Sequence, residues 1–236
     1  MKEIFLFGKE YIDTIMVVDS FSIAETNKCK KVIQQYGGLY NLNELYLPNC
    51  NLNYLTSGSK YAFIVSDLEE CKRTSFVANR EPCILTKTQT KQISSGNWLH
   101  VCYLDDIEDF SELFNLEVPM SLDFCTNSPR EKYFDVMNKA KVIFDSRERK
   151  ELYKNFASSS PLVLHDEYGI EIIIDGETVF EETNQPLTNL NVNGAGDAYA
   201  AFFIAGFEDD NLFTNAVNSM KKTTEMLKNR RDNEKI

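Results

Sequence analysis

This sequence of 236 residues lacks several features that would indicate a specific class of protein. It has only two histidines, and its six cysteines form no Cys-x-x-Cys pair, which argues against a zinc site and a disulfide framework. The formal net charge of −11 makes nucleic acid and anionic membranes poor partners. A Gly-Lys-Ser/Thr phosphate loop is absent, so a P-loop kinase is excluded. No apolar run approaches membrane-spanning length, and the start is too short and too acidic for a signal peptide. We therefore expect a cytoplasmic protein with reduced thiols.

The most informative segment is Asn193-Gly194-Ala195-Gly196-Asp197, which precedes a helix of small and aromatic residues. The first N–H groups of a helix have no intrahelical acceptor and carry the positive end of its dipole. Glycine and alanine leave these groups uncovered, so an anion can approach the backbone. Asp197 would then be placed to accept a proton from a hydroxyl that attacks a bound phosphate. The alternative is a glycine turn in which Asp197 is an ordinary first-turn acid.

The second half of the chain alternates strand and helix patterns. We predict strands at 118–124, 142–144 and 162–164, a hairpin of 169–174 with 178–180, a charged helix at 147–156 and an amphipathic helix at 212–227. The polar tail, residues 228–236, is expected to fray. This alternation indicates a mainly parallel sheet covered on both faces, with ligands beyond the carboxyl ends of its strands.

The first half is less regular. A strand is predicted at 12–18, and an antiparallel pair at 61–66 and 74–78. Residues 28–36 fit either a basic helix or an edge strand, and residues 39–47 have helical spacing after the break at Gly37-Gly38.

The order of these segments resembles the PfkB-type carbohydrate kinases, the ribokinase-like family that also includes nucleoside kinases. The motifs that carry the resemblance are Gly194-Ala195-Gly196-Asp197, Gly8 followed by Asp13, Gly37-Gly38-x-x-Asn41, the pair at 61–66 with Arg73-Thr74, Asp123 with Arg130, and Asp145-x-x-Glu148. The glycine motif is specific, whereas the others are weak singly and gain weight from their common order.

The resemblance implies a single α/β domain over residues 1–236, with a central mainly parallel sheet and a small β-lid from about 11–38 and 60–80. It implies ATP-dependent phosphorylation of a hydroxyl of a sugar or sugar derivative, with Mg²⁺, and a homodimer through the lid. The implied residues are Asp197 as general base; Gly194, Ala195 and Gly196 as anion hole; Asp13, Gly37, Gly38 and Asn41 at the acceptor; Asp145 and Gly169 at the nucleotide; and Glu148 at the metal through water.

Each implied role has an ordinary structural alternative. Asp13 fits a strand-end acid as well as a substrate ligand, and Gly37-Gly38 fits a simple turn. Asn41 suits a sugar hydroxyl but also suits a helix cap. Glu148 lies in a charged run that would be a solvated helix face in most proteins.

The chain also departs from the family pattern. The segment between Asn41 and Tyr61 is very short, which indicates that a βα unit of the family is missing. Asn191-Val192 stands where the family has Asp-Thr, which puts potassium activation in doubt. Leu164–Gly169 replaces a Thr-x-Gly-x-x-Gly nucleotide loop, and Asp145 replaces asparagine. A nucleoside kinase and a non-catalytic sugar- or nucleotide-binding relative are therefore alternatives.

Overall fold

A computed structural model describes residues 1–43, 45–78, 83–208 and 210–233. A ten-stranded sheet runs through the molecule in the order β10-β9-β8-β7-β6-β5-β1-β3-β4, with β2 paired to β1. The strands are β1 (Lys2–Val18), β2 (Cys29–Gly38), β3 (Cys50–Asp67), β4 (Lys72–Ala78), β5 (Trp98–Cys102), β6 (Met120–Asp123), β7 (Val142–Ser146), β8 (Leu162–Asp166), β9 (Gly169–Ile174) and β10 (Glu177–Thr183). The α-helices are α1 (Lys87–Ile93), α2 (Phe134–Met137), α3 (Ala195–Gly206) and α4 (Leu212–Asn233).

The centre of the sheet is parallel, as the alternating pattern predicts. Strands β3, β1, β5, β6, β7 and β8 pair in parallel, and β8, β9 and β10 form antiparallel pairs at one edge. The predicted turn at Asp175-Gly176 joins β9 to β10, and both residues have the positive φ that such a turn requires. The carboxyl ends of the parallel strands therefore lie along a common edge.

Strands β1 and β3 are long, with 17 and 18 residues, and they extend the sheet beyond its central parallel part, which we call the body. The pairing of β1 with β3 shifts register between Gly8 and Glu10. Before the shift, residues 4–8 of β1 pair with β5, and after it, residues 10–18 of β1 pair with β2. Strand β4 pairs with the end of β3, as predicted. Four strands in the order β2-β1-β3-β4 thus extend beyond the body, and we call this extension the lid.

Apolar side chains pack on both faces of the sheet. On one face Leu6, Phe144 and Val163 pack with Phe203 of α3 in a buried cluster. On the other face a second cluster joins the sheet to α1, α2 and the short helices. The alternation of buried residues along β1 sends Phe5 and Phe7 to one cluster and Ile4 and Leu6 to the other.

Several sequence-based expectations differ from the structure. Of the two alternatives for residues 28–36, the structure has the edge strand, β2, which begins at Cys29. Residues 39–47, whose spacing predicts a helix, hold only a 3-10 helix at Leu39–Asn41, with residue 44 outside the described part. The charged segment forms a 3-10 helix at Arg147–Tyr153 instead of the predicted α-helix, and its basic side chains pair with acids of neighbouring strands. The tail continues α4 to Asn233 instead of fraying, while 234–236 and lid residues 79–80 lie outside the described part.

The connection between the short helix at Leu39–Asn41 and β3 is short, as expected from the sequence. Chain positions 42–49, apart from the undescribed residue 44, contain neither helix nor strand. Within the described ranges, no helix has the length and apolar character needed to cross a membrane.

Candidate active site

The glycine motif begins α3 beside the carboxyl ends of the central strands. Gly194 has φ 75°, a left-handed conformation that glycine adopts at little cost. The N–H of Ala195 donates to the carbonyl oxygen of Val192 at 3.1 Å. The N–H groups of Gly196 and Asp197 donate to no acceptor in the described part of the chain. In the predicted anion hole, the N–H groups of Gly194 and Gly196 have no acceptor among the described residues, whereas that of Ala195 has an intramolecular partner. The open N–H of Asp197 lies next to that hole.

Asp197 is buried in the first turn of α3 and accepts two side-chain hydrogen bonds. Its Oδ2 accepts from Nδ2 of Asn41 at 2.7 Å, and its Oδ1 accepts from the hydroxyl of Tyr103 at 2.7 Å. Burial raises the pKa of Asp197, while the bond from Tyr103, the charge of Arg73 and the bond from Asn41 act to lower it. The residue is thus an acceptor held in a fixed orientation, next to the open donors of the helix.

Asp13 in β1 is a buried residue, only 6% exposed. Its Oδ1 has no hydrogen-bond partner among the described residues. Burial raises the pKa of Asp13 to about 6, with the charge of Arg73 lowering it and that of Asp197 raising it. A buried carboxylate oxygen without a partner is costly, and a ligand hydroxyl would satisfy it.

The two predicted acceptor glycines lie at the end of β2. A methyl group on Gly37 would come within 2.1 Å of Oδ2 of Asp13, so only glycine lets that carboxylate lie against the backbone. Gly38 has φ 59°, and a Cβ there would meet the Tyr11 ring at 2.5 Å. Gly37 therefore lies against the Asp13 carboxylate and Gly38 against the Tyr11 ring, and both residues end strand β2 instead of forming the simple turn considered from the sequence.

Tyr103 is a site residue that the sequence does not indicate. It follows β5 with φ 64° and ψ 77°, a left-handed conformation that is uncommon for a residue with a side chain. Its ring packs edge-on against Tyr11 with centroids 5.7 Å apart. No motif marks this position, and its location directly after a central strand is the only signal that could have found it.

Asp145, predicted at the nucleotide, lies in a buried ion-pair cluster. Its Oδ2 accepts from Nη2 of Arg130 at 2.9 Å and from the hydroxyl of Tyr153, and its Oδ1 accepts from Arg149. Arg130 also contacts Asp105 at 3.5 Å. The side chain of Arg149 remains one-fifth exposed, so this cluster keeps one solvent-accessible cation.

The segment that replaces the family's nucleotide loop lies beside α3. A Cβ on Gly196 would come within 3.3 Å of Cε1 of His165, so the imidazole borders the anion hole. Burial lowers the pKa of His165 to about 4. Asp166 accepts from the N–H groups of Tyr168 and Gly169 and pairs with Arg147 at 3.8 Å.

Gly169, predicted at the nucleotide, has a packing reason in this structure. With φ 149°, its Cβ position would lie 2.1 Å from the carbonyl oxygen of Glu182 in β10. Glycine is therefore required for the close pairing of β9 with β10, and its contact with a nucleotide stays a prediction.

Glu148, predicted at the metal, is exposed, and its N–H donates to Oγ of Ser146 at 3.3 Å. In the described ranges no three His, Cys, Asp or Glu side chains gather as a metal site. Magnesium in nucleotide sites needs only one or two carboxylates, with phosphate and water as its other ligands. An exposed carboxylate such as that of Glu148 has the ligand chemistry for one such contact, whereas the Asp145 carboxylate is already paired with Arg130 and Arg149.

The loop that leads into the anion hole is tied to α4 and to the lid. Nη1 of Arg230 donates to the carbonyl oxygens of Asn191 and Asn193 at 3.2 and 2.6 Å. Oδ1 of Asn191 accepts from the N–H of Asn193 at 3.1 Å and from Oγ of Ser66 in β3 at 3.2 Å. Asn191-Val192, which differs from the Asp-Thr pattern named in the sequence analysis, thus lies in a loop whose backbone carbonyls are bound by Arg230.

Comparison with known proteins gives a match in structure but not in sequence. No protein-family model matches the chain, and no curated protein matches it in sequence. Ribokinase from Thermotoga maritima is similar in structure, with TM-score 0.66 and 13% identity over 96% of this chain and 93% of that chain. The chain has a ribokinase-like fold.

Other solved structures share this ribokinase-like fold. Arabidopsis thaliana ribokinase complexed with ribose and ATP matches with TM-score 0.67 and 13% identity, covering 93% of this chain and 92% of that one. Burkholderia thailandensis nucleoside kinase in complex with inosine matches with TM-score 0.64 and 13% identity, covering 93% and 89%. The predicted fold class and the resemblance are confirmed at the level of the fold.

Proposed function

We propose that the protein is an ATP-dependent kinase that phosphorylates a hydroxyl of a sugar or sugar derivative. The observation that carries the proposal is the position of the Asp197 carboxylate, which is buried, oriented by Asn41 and adjacent to the open N–H groups of α3. A base next to an anion hole is the arrangement that hydroxyl phosphorylation needs. The fold supports this proposal because the solved structures that share it include ribokinases and nucleoside kinases.

On the acceptor side, Asp13 and Asn41 would bind substrate hydroxyls, and Gly37 and Gly38 would contribute by leaving room for the Asp13 carboxylate and the Tyr11 ring. Asp13 presents an oxygen without a partner, which one hydroxyl donor would satisfy. Asp197 would accept the proton of the attacking hydroxyl as the new O–P bond forms. Its carboxylate can do so because each oxygen keeps an acceptor position beyond its bond to Asn41 or Tyr103.

On the nucleotide side, the N–H groups of Gly194, Ala195 and Gly196 would bind the transferring phosphoryl group. Fixed backbone dipoles stabilise developing charge without reorganising during the reaction. Bound Mg²⁺ would neutralise phosphate charge, with Glu148 as a ligand through water. Asp145 and Gly169 remain proposed nucleotide residues. Arg149, which pairs with Asp145, carries the positive charge that would attract a phosphate.

Ligand-induced stabilisation tests the proposal directly. Magnesium-ATP should stabilise the folded protein by about 2.7 kcal/mol at a hundredfold excess over its dissociation constant. Thermal unfolding is measured with and without magnesium-ATP, and then with a panel of sugars and nucleosides. An unfolding temperature that does not respond to millimolar ATP, ADP or GTP with magnesium would exclude a kinase.

Two further candidates are separated by the same panel. A nucleoside kinase is favoured by the structural similarity to a nucleoside kinase in complex with inosine. Stabilisation by nucleosides and by no sugar would select it. A non-catalytic binding relative is favoured by the segment at 164–169, which lacks the glycines of the family's nucleotide loop. Stabilisation by an acceptor without any phosphorylated product, under magnesium-ATP, would select that third function.

We also propose that residues 1–236 act as a single domain whose lid, from about 11–38 and 60–80, forms a homodimer. The lid face opposite Asp13 carries large apolar side chains that are about half exposed. They are Tyr36, Tyr61, Phe63 and Phe76, with exposed fractions of 63%, 48%, 53% and 56%. Strand pairing places Phe63 beside Phe76, and places Tyr36 and Tyr61 on either side of Ile12. A contiguous apolar patch of this kind is typical of an interface.

A further inference from the structure

Tyr103 and Asn41 hold the same carboxylate from two different parts of the molecule. Asn41 follows the lid strand β2, and Tyr103 follows the body strand β5. Each donates one hydrogen bond of 2.7 Å, to opposite oxygens of Asp197. Two donors on two oxygens fix both the position and the rotation of the carboxylate plane.

We propose that Tyr103 is a positioning residue for the proposed phosphoryl transfer, whose hydroxyl holds Oδ1 of Asp197 in the orientation that receives the acceptor's proton. The inference rests on the proposed function, because it assigns Asp197 the role of base. Tyr103 itself takes no part in bond making. It uses one acceptor position of Oδ1 and leaves the other for the acceptor hydroxyl.

The backbone of Tyr103 supports a role beyond core packing. Its left-handed φ of 64° is uncommon for a residue with a Cβ, and such conformations concentrate at functional sites. Its ring is fixed by the edge-on contact with Tyr11, whose own hydroxyl donates to Asp106. The phenol is thus held in place independently of Asp197, so it can orient the carboxylate.

Several charged or titratable groups act on Asp197 besides Tyr103, and they set the direction of the expected effect. Arg73 of β4 is the nearby cation, and it acts to lower the pKa of Asp197. The carboxyls of Asp13 in β1 and Asp123 in β6, with the thiol of Cys102 in β5, interact electrostatically with Asp197. None of these groups is displaced by removing the Tyr103 hydroxyl. Because that hydroxyl stabilises the ionised carboxylate, its loss should raise the pKa of Asp197.

The experiment compares the pH dependence of turnover in the wild-type protein, Tyr103→Phe and Tyr11→Phe. In Tyr103→Phe the acidic limb of kcat should move to higher pH by about one unit, and turnover should recover at high pH. Tyr11→Phe is the matched control, since it removes a buried phenol hydroxyl from the same aromatic pair without touching Asp197. An unchanged acidic limb in Tyr103→Phe, or an equal displacement in both variants, would overturn the inference.

A second substitution tests the direction without removing any packing. Incorporating 3-fluorotyrosine at position 103 gives a more acidic phenol and a stronger donor, so the acidic limb should move to lower pH. A shift upward, or none, would contradict the proposal even if Tyr103→Phe failed to fold.

A readout independent of activity separates this inference from the proposed function. The carboxyl carbon of Asp197 can be followed by NMR in protein labelled with ¹³C-aspartate, with its signal identified by comparison with Asp197→Asn. Its titration should move to higher pH in Tyr103→Phe. If it does so in a protein that phosphorylates no acceptor, the orienting contact stands and the kinase function fails. If the titration is unchanged, the inference fails whatever the activity.

Discussion

The carboxylate of Asp13 lies so close to Gly37 that a single methyl group on the glycine would come within 2.1 Å of Oδ2. The two residues belong to neighbouring lid strands, where Gly37 pairs with Tyr11, two positions before Asp13 in β1. The absence of a side chain on Gly37 therefore fixes where the carboxylate lies. Because Oδ1 of Asp13 has no partner, this pair defines one wall of the proposed acceptor site.

Replacing Gly37 with alanine should damage acceptor binding selectively. The new methyl group must displace the Asp13 carboxylate, and losing a hydrogen bond to a charged group costs about 1.5–3 kcal/mol. We expect the Michaelis constant of the acceptor to rise by a factor of ten or more, while ATP binding changes little. The control is Gly176→Ala in the turn between β9 and β10, where a Cβ meets nothing closer than 3.7 Å. Because Gly176 has φ 79° and Gly37 lies in extended backbone, the control carries the larger backbone strain. An equal rise of the Michaelis constant in both variants would show that general destabilisation, and not displacement of Asp13, is responsible.

Replacing Asp13 with asparagine should stabilise the folded protein at neutral pH. Burial raises the pKa of Asp13 from 3.8 to about 6, so the folded state binds a proton more tightly than the unfolded state. Stability is therefore lost as pH rises from about 4 to 6, and the ionised carboxylate costs roughly 3 kcal/mol above that range. Asp13→Asn removes this cost, and it should also weaken acceptor binding.

The measurement for Asp13→Asn is denaturant unfolding at pH 7.5 and at pH 4. The stabilisation should be present at pH 7.5 and small at pH 4, where the wild-type carboxyl is protonated. Both histidines also make stability depend on pH: burial lowers the pKa of His100 to about 3 and that of His165 to about 4, so each favours the folded state as pH rises towards 7. This contribution is common to the wild-type protein and Asp13→Asn, and it cancels in their difference. A stabilisation of equal size at both pH values would refute the charge explanation.

Much of the fold could be predicted from local patterns. The apolar runs at 118–124, 142–144 and 162–164 became β6, β7 and β8, and the turn Asp175-Gly176 became the hairpin. These predictions succeeded because a buried parallel strand is marked by a continuous apolar run and a hairpin turn by its own two residues, so both are encoded within a short stretch of sequence. The stretch 28–36 could not be decided locally, since its strand state depends on pairing with β1, a distant segment.

The site was predictable only where a motif marked it. Asp197 and Asn41 come from motifs, and the structure brings them into contact. Tyr103 and Arg230 carry no motif, because their roles arise from the way that β5 and α4 pack beside the start of α3. Arg73 lies in a recognised motif, but its charge effect on Asp13 and Asp197 follows only from the position of β4. The expected fraying of the tail failed for the same reason, since hydrogen bonds of Arg230 to a distant loop are not visible in a polar sequence.

Arg230→Ala should weaken binding of the phosphate donor. Its guanidinium fixes the carbonyl of Asn193 and therefore the plane of the peptide that carries the Gly194 N–H. Without it the anion hole is less organised, and we expect ATP affinity to fall by about tenfold, as for the loss of one hydrogen bond to a charged group. Lys228→Ala is the control, since it removes one exposed cation from the same helix. Calorimetric titration with magnesium-ATP measures both, and equal losses would indicate a general charge effect.

The lid patch should determine the oligomeric state. Phe63→Ser on the outer face of β3 should convert the proposed homodimer to a monomer, because it removes an apolar side chain beside Phe76. Tyr168→Ser provides the control, since Tyr168 is 57% exposed but lies in the turn between β8 and β9. Light scattering coupled to size-exclusion chromatography gives the mass. A monomeric wild-type protein across micromolar concentrations would remove the dimer from consideration.

Asp197→Asn should abolish turnover and leave the fold and the binding sites in place. Asparagine keeps the size of the side chain and can still accept from Tyr103 through its carbonyl oxygen. It can no longer take a proton, and positioned general bases contribute about 10²–10⁴-fold to rate. ATP affinity should hold or increase slightly, because a buried negative charge near the phosphate has been removed.

The two measurements for Asp197→Asn are kcat and the stabilisation by magnesium-ATP. Because burial raises the pKa of Asp197, the neutral side chain should also leave the protein at least as stable at pH 7.5. Loss of stability and of ATP binding together with activity would identify Asp197 as an ordinary first-turn acid of α3. Turnover at the wild-type rate would show that another group accepts the proton, and Asp13, the neighbouring buried carboxylate, would then be the next residue to test.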